Sequence, residues 1–333
     1  MRKIKIAQIG LNQYSHSTEI FQSVTKQDDI FEMVGYALPE NEEKRLPSKA
    51  AQLASYKQMT VEEILNNPEI EAVTIETDEI YLTKYALMAA KSGKHIHMEK
   101  PGGIEPRDFE ALISEMKKSG KVFHTGYMYR YNPNVMAIME RVKSGELGEI
   151  YSVEAQMNSP HPNDQRRFLG GFPGGIMFFL GCHLVDLVLQ IKGKPQNIIT
   201  FNKSTGKEGL DVTDFGMAVF EYENGASFIK SNSSEIGGFI RRQLVINAEK
   251  GTIEVKPFEI NAAPGAMQVT DQVEYTDMGW NVKGNKTTSN VYNRYDYMME
   301  SFGKMVRGEI ENPYTLEYEL ELYKTVLKCC EVR

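Results

Sequence analysis

The stretch KHIHMEKPG, residues 94–102, decides the fold, because it joins an apolar strand to a turn that carries a lysine. Pro101 restricts the backbone of that turn and presents Lys100 at the strand end. In open α/β sheets, the carboxyl ends of parallel strands face the crevice where ligands bind. Taken alone, Glu-Lys-Pro is more simply an exposed charged turn. The neighbouring segments favour the other interpretation, in which Lys100 does chemistry in a dinucleotide-type fold.

Residues 1–125 alternate short apolar runs with helical patterns, which is typical of βαβ units and a parallel sheet. Strands are predicted at residues 4–9, 31–38, 72–75, 94–98 and 121–126. Helices are predicted at residues 17–24, 61–65, 82–91 and 109–118, with Thr60 as an N-cap. The sequence therefore predicts an α/β chain that begins with a doubly wound Rossmann domain.

The pattern changes beyond residue 125 to a few helices, several strands and two closing helices. Strands are predicted at residues 150–157, 197–202, 215–222, 226–231, 242–247 and 252–255. Residues 126–333 are therefore expected to form an α+β domain for substrate binding and oligomerisation, with an open, largely antiparallel sheet. A broad sheet covered on one face exposes apolar surface, so we expect a homodimer or homotetramer through this sheet.

Length and composition exclude several classes of protein. A chain of 333 residues is expected to form about two domains, and 41% hydrophobic with 25% charged residues is ordinary for a globular enzyme. No apolar run approaches the roughly 20 residues that span a bilayer, so no membrane segment is expected. Scattered basic residues and a net charge of −7 argue against a nucleic-acid surface.

The N-terminus and the cysteines indicate the cellular compartment. The N-terminus begins a strand at once, with no apolar signal core. Cys182 lies in an apolar segment and Cys329 adjoins Cys330, which does not make a disulfide framework. A cytoplasmic location and small-molecule partners are expected. A nucleophilic role for Cys182 is disfavoured, because a thiol inside an apolar helix is normally inert. A metal site is disfavoured, because the histidines show no paired helical spacing with carboxylates and His95 with His97 on one strand face is a weak signal.

A second chemical feature is the glycine-led apolar segment at residues 170–189, which contains His183. A helix that is apolar nearly all round is buried, so His183 either bonds within the core or faces a cavity. Gly181 would let a flat ligand approach the backbone. Asp186, three residues on, would orient the imidazole or cap a local turn, and spacing alone does not decide between these roles.

Several segments together resemble the Gfo/Idh/MocA oxidoreductase family, which includes glucose–fructose oxidoreductase and inositol dehydrogenase. They are residues 61–65, 70–73, 89–95, 99–101, 126–133, 144–150 and 174–186. The resemblance implies a Rossmann domain, an open-sheet second domain, and NAD- or NADP-linked oxidation or reduction of a sugar or polyol. It places Lys100 and His183 at catalytic positions, with His183 as general base and Lys100 stabilising the alkoxide.

The departures from the family pattern cluster where the cofactor is expected. Of the glycine fingerprint only Gly10 remains, and Tyr14 adds bulk where the pyrophosphate needs space. Leu38 stands where an acid would hold the ribose. The pair Asp78-Glu79 replaces neutral residues and would repel a diphosphate. Phe179 replaces the aspartate one turn before the catalytic histidine.

The candidate residues follow from these matches and departures. Those for the cofactor, NAD or NADP, are Gly10, Asn12, Tyr14, Ser15, Leu38, Thr77, Glu99, Lys100, Pro101 and Arg130. Those for a carbohydrate substrate are Lys100, Tyr129, His161, Arg167, Phe179 and His183. Three hypotheses stay open: an oxidoreductase, an enzyme that hydrolyses glycosides through transient oxidation, and a sugar-binding protein without redox activity that has lost the cofactor site.

Overall fold

The computed structural model describes residues 2–332, which divide into two compact units. The first unit joins the residues up to 128 with residues 295–323. The second joins residues 129–294 with the residues from 324 onward. The predicted domain division at residue 125 lies close to the first crossing of the chain, but packing groups residues 295–323 with the first unit. No sequence pattern marks that return.

The first unit is built on a parallel sheet whose strand order is β2-β1-β3-β4-β5. The strands are β1 Ile4–Ile9, β2 Phe31–Ala37, β3 Ala72–Ile75, β4 His95–Met98 and β5 Phe123–Thr125. The order reverses between β1 and β3, and the carboxyl ends of these two strands flank the crevice in which doubly wound folds bind their ligands. The predicted parallel sheet is confirmed.

Helices connect these strands. Those near residues 17–26, 61–66, 82–91 and 106–119 were predicted, whereas the two short helices between residues 42 and 50 were not. The helices are α1 Ser17–Lys26, α2 Glu42–Arg45, α3 Pro47–Ala50, α4 Val61–Asn66, α5 Leu82–Lys91 and α6 Pro106–Ser119. The predicted N-cap is confirmed, since the Thr60 hydroxyl accepts from the Glu63 amide while the Glu63 carboxylate accepts from the Thr60 amide. This capping box satisfies two amides that the first helical turn leaves without partners.

The second unit contains a mixed sheet with the order β15-β14-β11-β10-β6-β9-β8-β7. Its strands are β6 Ile150–Asn158, β7 Asn197–Lys203, β8 Phe215–Tyr222, β9 Gly225–Asn232, β10 Gln243–Ala248, β11 Gly251–Val255, β14 Asp271–Tyr275 and β15 Asn285–Thr288. Neighbours pair antiparallel except β6 and β9, which pair parallel. A largely antiparallel sheet is therefore confirmed.

The remaining elements of the chain are helices and a small sheet. The small antiparallel sheet has the order β12-β13-β16, from β12 Ile260–Ala263, β13 Met267–Val269 and β16 Tyr292–Asn293. The helices are α7 Pro133–Lys143, α8 Asn163–Leu169, α9 Cys182–Lys192, α10 Asp296–Val306 and α11 Leu316–Cys329. Across residues 2–332, no helix has the length and apolar character needed to cross a bilayer.

Candidate functional site

Gly10 directly follows β1 at the switch point of the parallel sheet, where it contacts Thr77, two residues after β3. Its φ is +90°, and a Cβ atom here would lie 2.3 Å from Cγ2 of Thr77. Glycine alone tolerates both the backbone conformation and this close approach. Gly10 and Thr77, both predicted cofactor residues, are thus brought together.

The side chain of Asn12 organises the turn between β1 and α1. Its Oδ1 accepts from the amides of Tyr14 and Ser15, at 2.9 and 2.8 Å. Its Nδ2 donates to the Thr77 carbonyl, at 3.1 Å. The Asn12 side chain therefore fixes the shape of this turn, a task that glycines perform in a glycine-rich loop. The amides of Tyr14 and Ser15, which would otherwise be available to a ligand, already donate to Asn12.

Asp78 fills the same turn from the β3 side. One carboxylate oxygen, Oδ1, accepts from the Gln13 amide at 2.9 Å, and the other, Oδ2, accepts from the Arg45 guanidinium at 2.8 Å. Lys49 is a site residue that sequence reasoning missed: its Nζ donates to the carbonyls of Asn12 and Ser15. Burial lowers the pKa of Lys49. No local pattern identifies this lysine, because its partners lie more than thirty residues earlier in the sequence.

Three buried carboxyl groups lie at the ends of β3 and β4: Glu76, Glu79 and Glu99. Burial raises the pKa of all three, well above the ordinary value for Glu76 and to about 7 for Glu79. Neither Glu76 carboxylate oxygen has a hydrogen-bond donor among the described residues, and Oε1 lies 3.6 Å from Nε2 of His97. Sequence reasoning missed Glu76, although it directly precedes Thr77 at the strand end.

Lys100 is buried at the carboxyl end of β4, next to Glu99. Its Nζ lies 3.5 Å from Oε1 of Glu99, the atom that also accepts from the Ser15 hydroxyl at 2.7 Å. The residues after it are fixed by bonds from the Gly103 amide to Thr83 Oγ1 and from the Tyr323 hydroxyl to the Gly103 carbonyl. The turn predicted from Pro101 is therefore well anchored, and its Lys100–Pro101 peptide is cis.

Leu38 lines an open cavity of about 490 Å³ beyond the end of β2, together with Tyr36, Ala50 and Tyr56. The nearby acid Glu40 is not directed to a ribose: its carboxylate accepts from Lys84 and from the Tyr85 hydroxyl. This end of the crevice has room for an adenosine group, and Glu43 adds a carboxylate to its largely apolar lining.

The residues present do not fit the diphosphate of a dinucleotide. A diphosphate at the N-terminus of α1 needs free backbone amides and a site without negative charge. Here the amides of residues 13–15 donate to Asp78 and Asn12. Glu76 and Glu79, within two residues of Asp78 in the sequence, are also buried, and burial raises the pKa of both. The repulsion predicted from the pair Asp78-Glu79 therefore has a structural basis.

In the second unit, His183 lies in the first turn of α9, directly after a π-helical segment at Met177–Gly181. Its ring is buried and makes an edge-to-face contact with Tyr129, at 4.9 Å between centroids. The Tyr129 hydroxyl donates to Glu259 at 2.9 Å and accepts from Arg242 at 3.1 Å. Burial raises the pKa of Tyr129 to about 12, which keeps the phenol neutral.

Phe179 lies within the π-helical segment, so the α-helical spacing of four that placed it on the His183 face does not apply. It packs parallel to Phe172 and faces His161 edge-on at 6.4 Å. His161 bonds the Ser159 hydroxyl, and burial lowers the pKa of His161 to about 4. Arg167 is exposed on α8, whereas Gly181 is covered by the Met177 side chain rather than open to a ligand.

Arg130, a predicted cofactor residue, is instead paired within the second unit. Its guanidinium donates twice to the Asp186 carboxylate, at 2.9 and 2.8 Å, and both side chains are buried. Asp186 also accepts from Gln190. Asp186 is thus held by a bidentate ion pair, and its role in orienting His183 or capping a turn stays a prediction. Sequence spacing did not indicate this ion pair, because the two residues are 56 positions apart.

Two family models match the chain. Residues 4–127 match a model described as "Oxidoreductase family, NAD-binding Rossmann fold", and residues 135–254 match the "GFO/IDH/MocA C-terminal domain". Together the two models cover well over half of the chain.

Characterised dehydrogenases are among the similar sequences. The chain is 24% identical over 254 residues to myo-inositol 2-dehydrogenase of Thermotoga maritima, a match covering 73% of this chain and 72% of that one. It is 23% identical to the NADP(+)-dependent scyllo-inositol 2-dehydrogenase of Bacillus subtilis over 66% of this chain, but over only 61% of that protein's length.

Solved structures show the same fold at low identity. Levoglucosan dehydrogenase, in complex with NADH and levoglucosan, has a TM-score of 0.79 at 16% identity, covering 99% of this chain and 97% of that one. Aldose-aldose oxidoreductase of Caulobacter crescentus has a TM-score of 0.79 at 15% identity, with coverage of 99% and 97%. These likenesses show the fold alone. None of the comparisons supports a sugar-binding protein without redox activity.

Proposed function

Because the chain belongs to the GFO/IDH/MocA family of NAD-binding oxidoreductases, we propose that it oxidises a hydroxyl group or reduces a carbonyl group of a sugar or polyol, with NAD or NADP as redox partner. The inositol dehydrogenases among its relatives support this substrate class. The observation that carries the proposal is the buried Lys100 at the carboxyl end of β4.

Lys100 acts on the substrate oxygen. Oxidation of an alcohol develops negative charge on that oxygen as its proton leaves, and a fixed ammonium group stabilises this charge. Glu99 and the anchored turn around Gly103 hold the lysine in place. A lysine held at a strand end needs little reorganisation during the reaction.

His183 removes the hydroxyl proton as general base. Tyr129 packs edge-on against its ring, and the tyrosine is itself fixed by Glu259 and Arg242. In the same unit, Phe179 and His161 form an aromatic surface that suits the apolar face of a sugar ring. These residues and Arg167 are proposed for substrate binding.

Variants of the two catalytic residues test this function. Lys100→Met and His183→Ala are expected to lower kcat by at least about a hundredfold, as the loss of an oxyanion donor or a general base does. Turnover of sugars and polyols is followed by nicotinamide absorbance, with circular dichroism to show that each variant folds. The control is Lys91→Met, which removes an exposed lysine from α5. Undiminished turnover in either variant would remove that residue from the mechanism.

The assembly and the compartment belong to the same proposal. The apolar side chains of Ile199 and Phe201 are exposed on β7 at the edge of the mixed sheet, which supports a homodimer or homotetramer through this sheet. The three cysteines are buried thiols, in keeping with a reducing cytoplasm.

A further inference from the structure

We infer that the Asp78 carboxylate occupies the place of the cofactor diphosphate at the turn between β1 and α1, and thereby sets the affinity of the chain for its dinucleotide. This inference rests on the proposed function, because it takes NAD or NADP to be the redox partner. It concerns residues of the first unit alone.

The first support is the set of acceptors that the backbone amides of this turn already have. In a doubly wound fold, the diphosphate accepts hydrogen bonds from backbone amides between the first strand and the first helix. Here the Gln13 amide donates to Asp78, and the amides of Tyr14 and Ser15 donate to Asn12. A carboxylate that accepts from an amide of this turn makes the same kind of contact as a bound phosphate.

The second support is the ion pair between Asp78 and Arg45. Arg45 donates to Oδ2 of Asp78 at 2.8 Å while Oδ1 holds the Gln13 amide. The carboxylate thus bridges an arginine and a turn amide, which are the two kinds of donor that bind phosphate. If Asp78 withdraws, both donors become available to an incoming diphosphate.

The third support is the charge of the surroundings. Glu79 follows Asp78 in the sequence and Glu76 precedes it by two positions, and the burial that raises the pKa of both carboxyl groups also opposes any further negative charge there. Lys49 gives its ammonium group to the carbonyls of Asn12 and Ser15. A diphosphate that entered beside Asp78 would meet a carboxylate without a new cation to offset it, so displacement of Asp78 is the favourable route.

The test is calorimetric titration of cofactor-stripped, full-length protein with NADH and with NADPH. Asp78→Ala removes the competing carboxylate and is expected to lower the Kd of one of the two dinucleotides by at least about tenfold, equal to about 1.4 kcal/mol. Asp78→Asn removes only the charge, and an intermediate gain is expected. The matched control is Asp108→Ala, which removes an exposed aspartate from α6 in the same unit and should leave the Kd unchanged.

Each outcome decides the inference separately from the proposed function. Tighter binding by both Asp78 variants supports the inference, even if the wild-type protein binds too weakly to measure. If these variants bind dinucleotide tightly and no sugar or polyol is turned over, the inference stands and the proposed function fails. If wild-type protein turns over a sugar while the Asp78 variants bind no more tightly, the inference is wrong and the function stands. Absence of binding in every variant contradicts both.

Discussion

At the scale of single residues, the site of the first unit is dominated by acids where the fold ordinarily holds a phosphate. Glu76, Glu79 and Glu99 are buried at two neighbouring strand ends, and Asp78 lies between the first two in the sequence. Burial penalises the charged form of the three glutamate carboxyl groups, so it favours their protonated, neutral form. The protonation of these glutamates, and with it the stability of this region, is therefore expected to depend on pH.

Glu79 makes folding stability depend on pH. Its pKa is raised from 4.5 to about 7 by burial, and Glu99 adds to this shift while Lys100 and Asn12 oppose it. A carboxyl group whose pKa is higher in the folded state stabilises that state below pH 4.5, and this contribution falls as the pH rises to about 7. For Glu79 the fall is about 3 kcal/mol.

The variant Glu79→Gln tests this dependence, since glutamine stays neutral at every pH. Urea unfolding across the range from acid to neutral pH is expected to show a smaller loss of stability in the variant than in the wild type. Glu62→Gln, at an exposed position of α4, should follow the wild type. A variant curve parallel to that of the wild type would show that folding does not raise the pKa of Glu79.

The sequence predicted the acidic character of this site but not the hydrogen bonds that form it. The acidic pair Asp78-Glu79 indicated repulsion of a diphosphate from the sequence alone. The bond from the Gln13 amide to Asp78 spans 65 positions and the Arg45 pair spans 33, so neither follows from any local pattern. The same holds for Lys49, whose role exists only because α3 packs beside the turn between β1 and α1.

At the scale of elements, the βαβ segments of the first unit were predictable because periodicity, caps and turn residues agree there. Thr60 and its capping box fix the start of α4 as expected. The proline- and glycine-rich segment at residues 159–175 contains α8, whose Arg166 is buried against Asp214. The small and outer strands between residues 260 and 293 were missed, because polar residues such as those of β15 carry no alternating pattern.

The ion pair between Arg130 and Asp186 ties the 3₁₀ segment at Met128–Tyr131 to α9. Arg130→Met leaves a buried carboxylate without its arginine and is expected to destabilise the fold by about 3–5 kcal/mol. Adding Asp186→Leu removes that carboxylate and should restore most of the loss. Urea unfolding of the single and double variants measures both effects. Unchanged stability in Arg130→Met, with weaker dinucleotide binding, would instead favour the cofactor role that the sequence predicts.

At the scale of the whole molecule, the chain crosses between its two units three times, whereas the sequence suggested one division. Apolar periodicity gives the type of each element but not its packing partner, so the assignment of residues 295–323 to the first unit could not be foreseen. The family resemblance did foresee the order of the two domains, which the family models confirm.

The edge strand β7 offers a test of assembly. Phe201 is 47% exposed there, and Phe201→Glu is expected to convert an assembled protein to monomers, because a charge at an apolar interface is costly to bury. Phe239→Glu is the control, since Phe239 is 54% exposed in a turn outside the sheet. Light scattering coupled to size exclusion gives the masses. A wild-type monomer, or a Phe201 variant of unchanged mass, would contradict the proposed interface.

The most direct test of the central claim is turnover by the purified wild-type chain. A panel of sugars and polyols is incubated with saturating NAD or NADP, and the appearance of reduced nicotinamide is followed alongside Lys100→Met. We predict that at least one of these substrates is oxidised by the wild type and that the variant leaves it unchanged. No reduced nicotinamide with any of them, while Asp78→Ala binds dinucleotide tightly, would contradict the account of this chain as a carbohydrate oxidoreductase. Equal rates in both proteins would remove Lys100 from its mechanism.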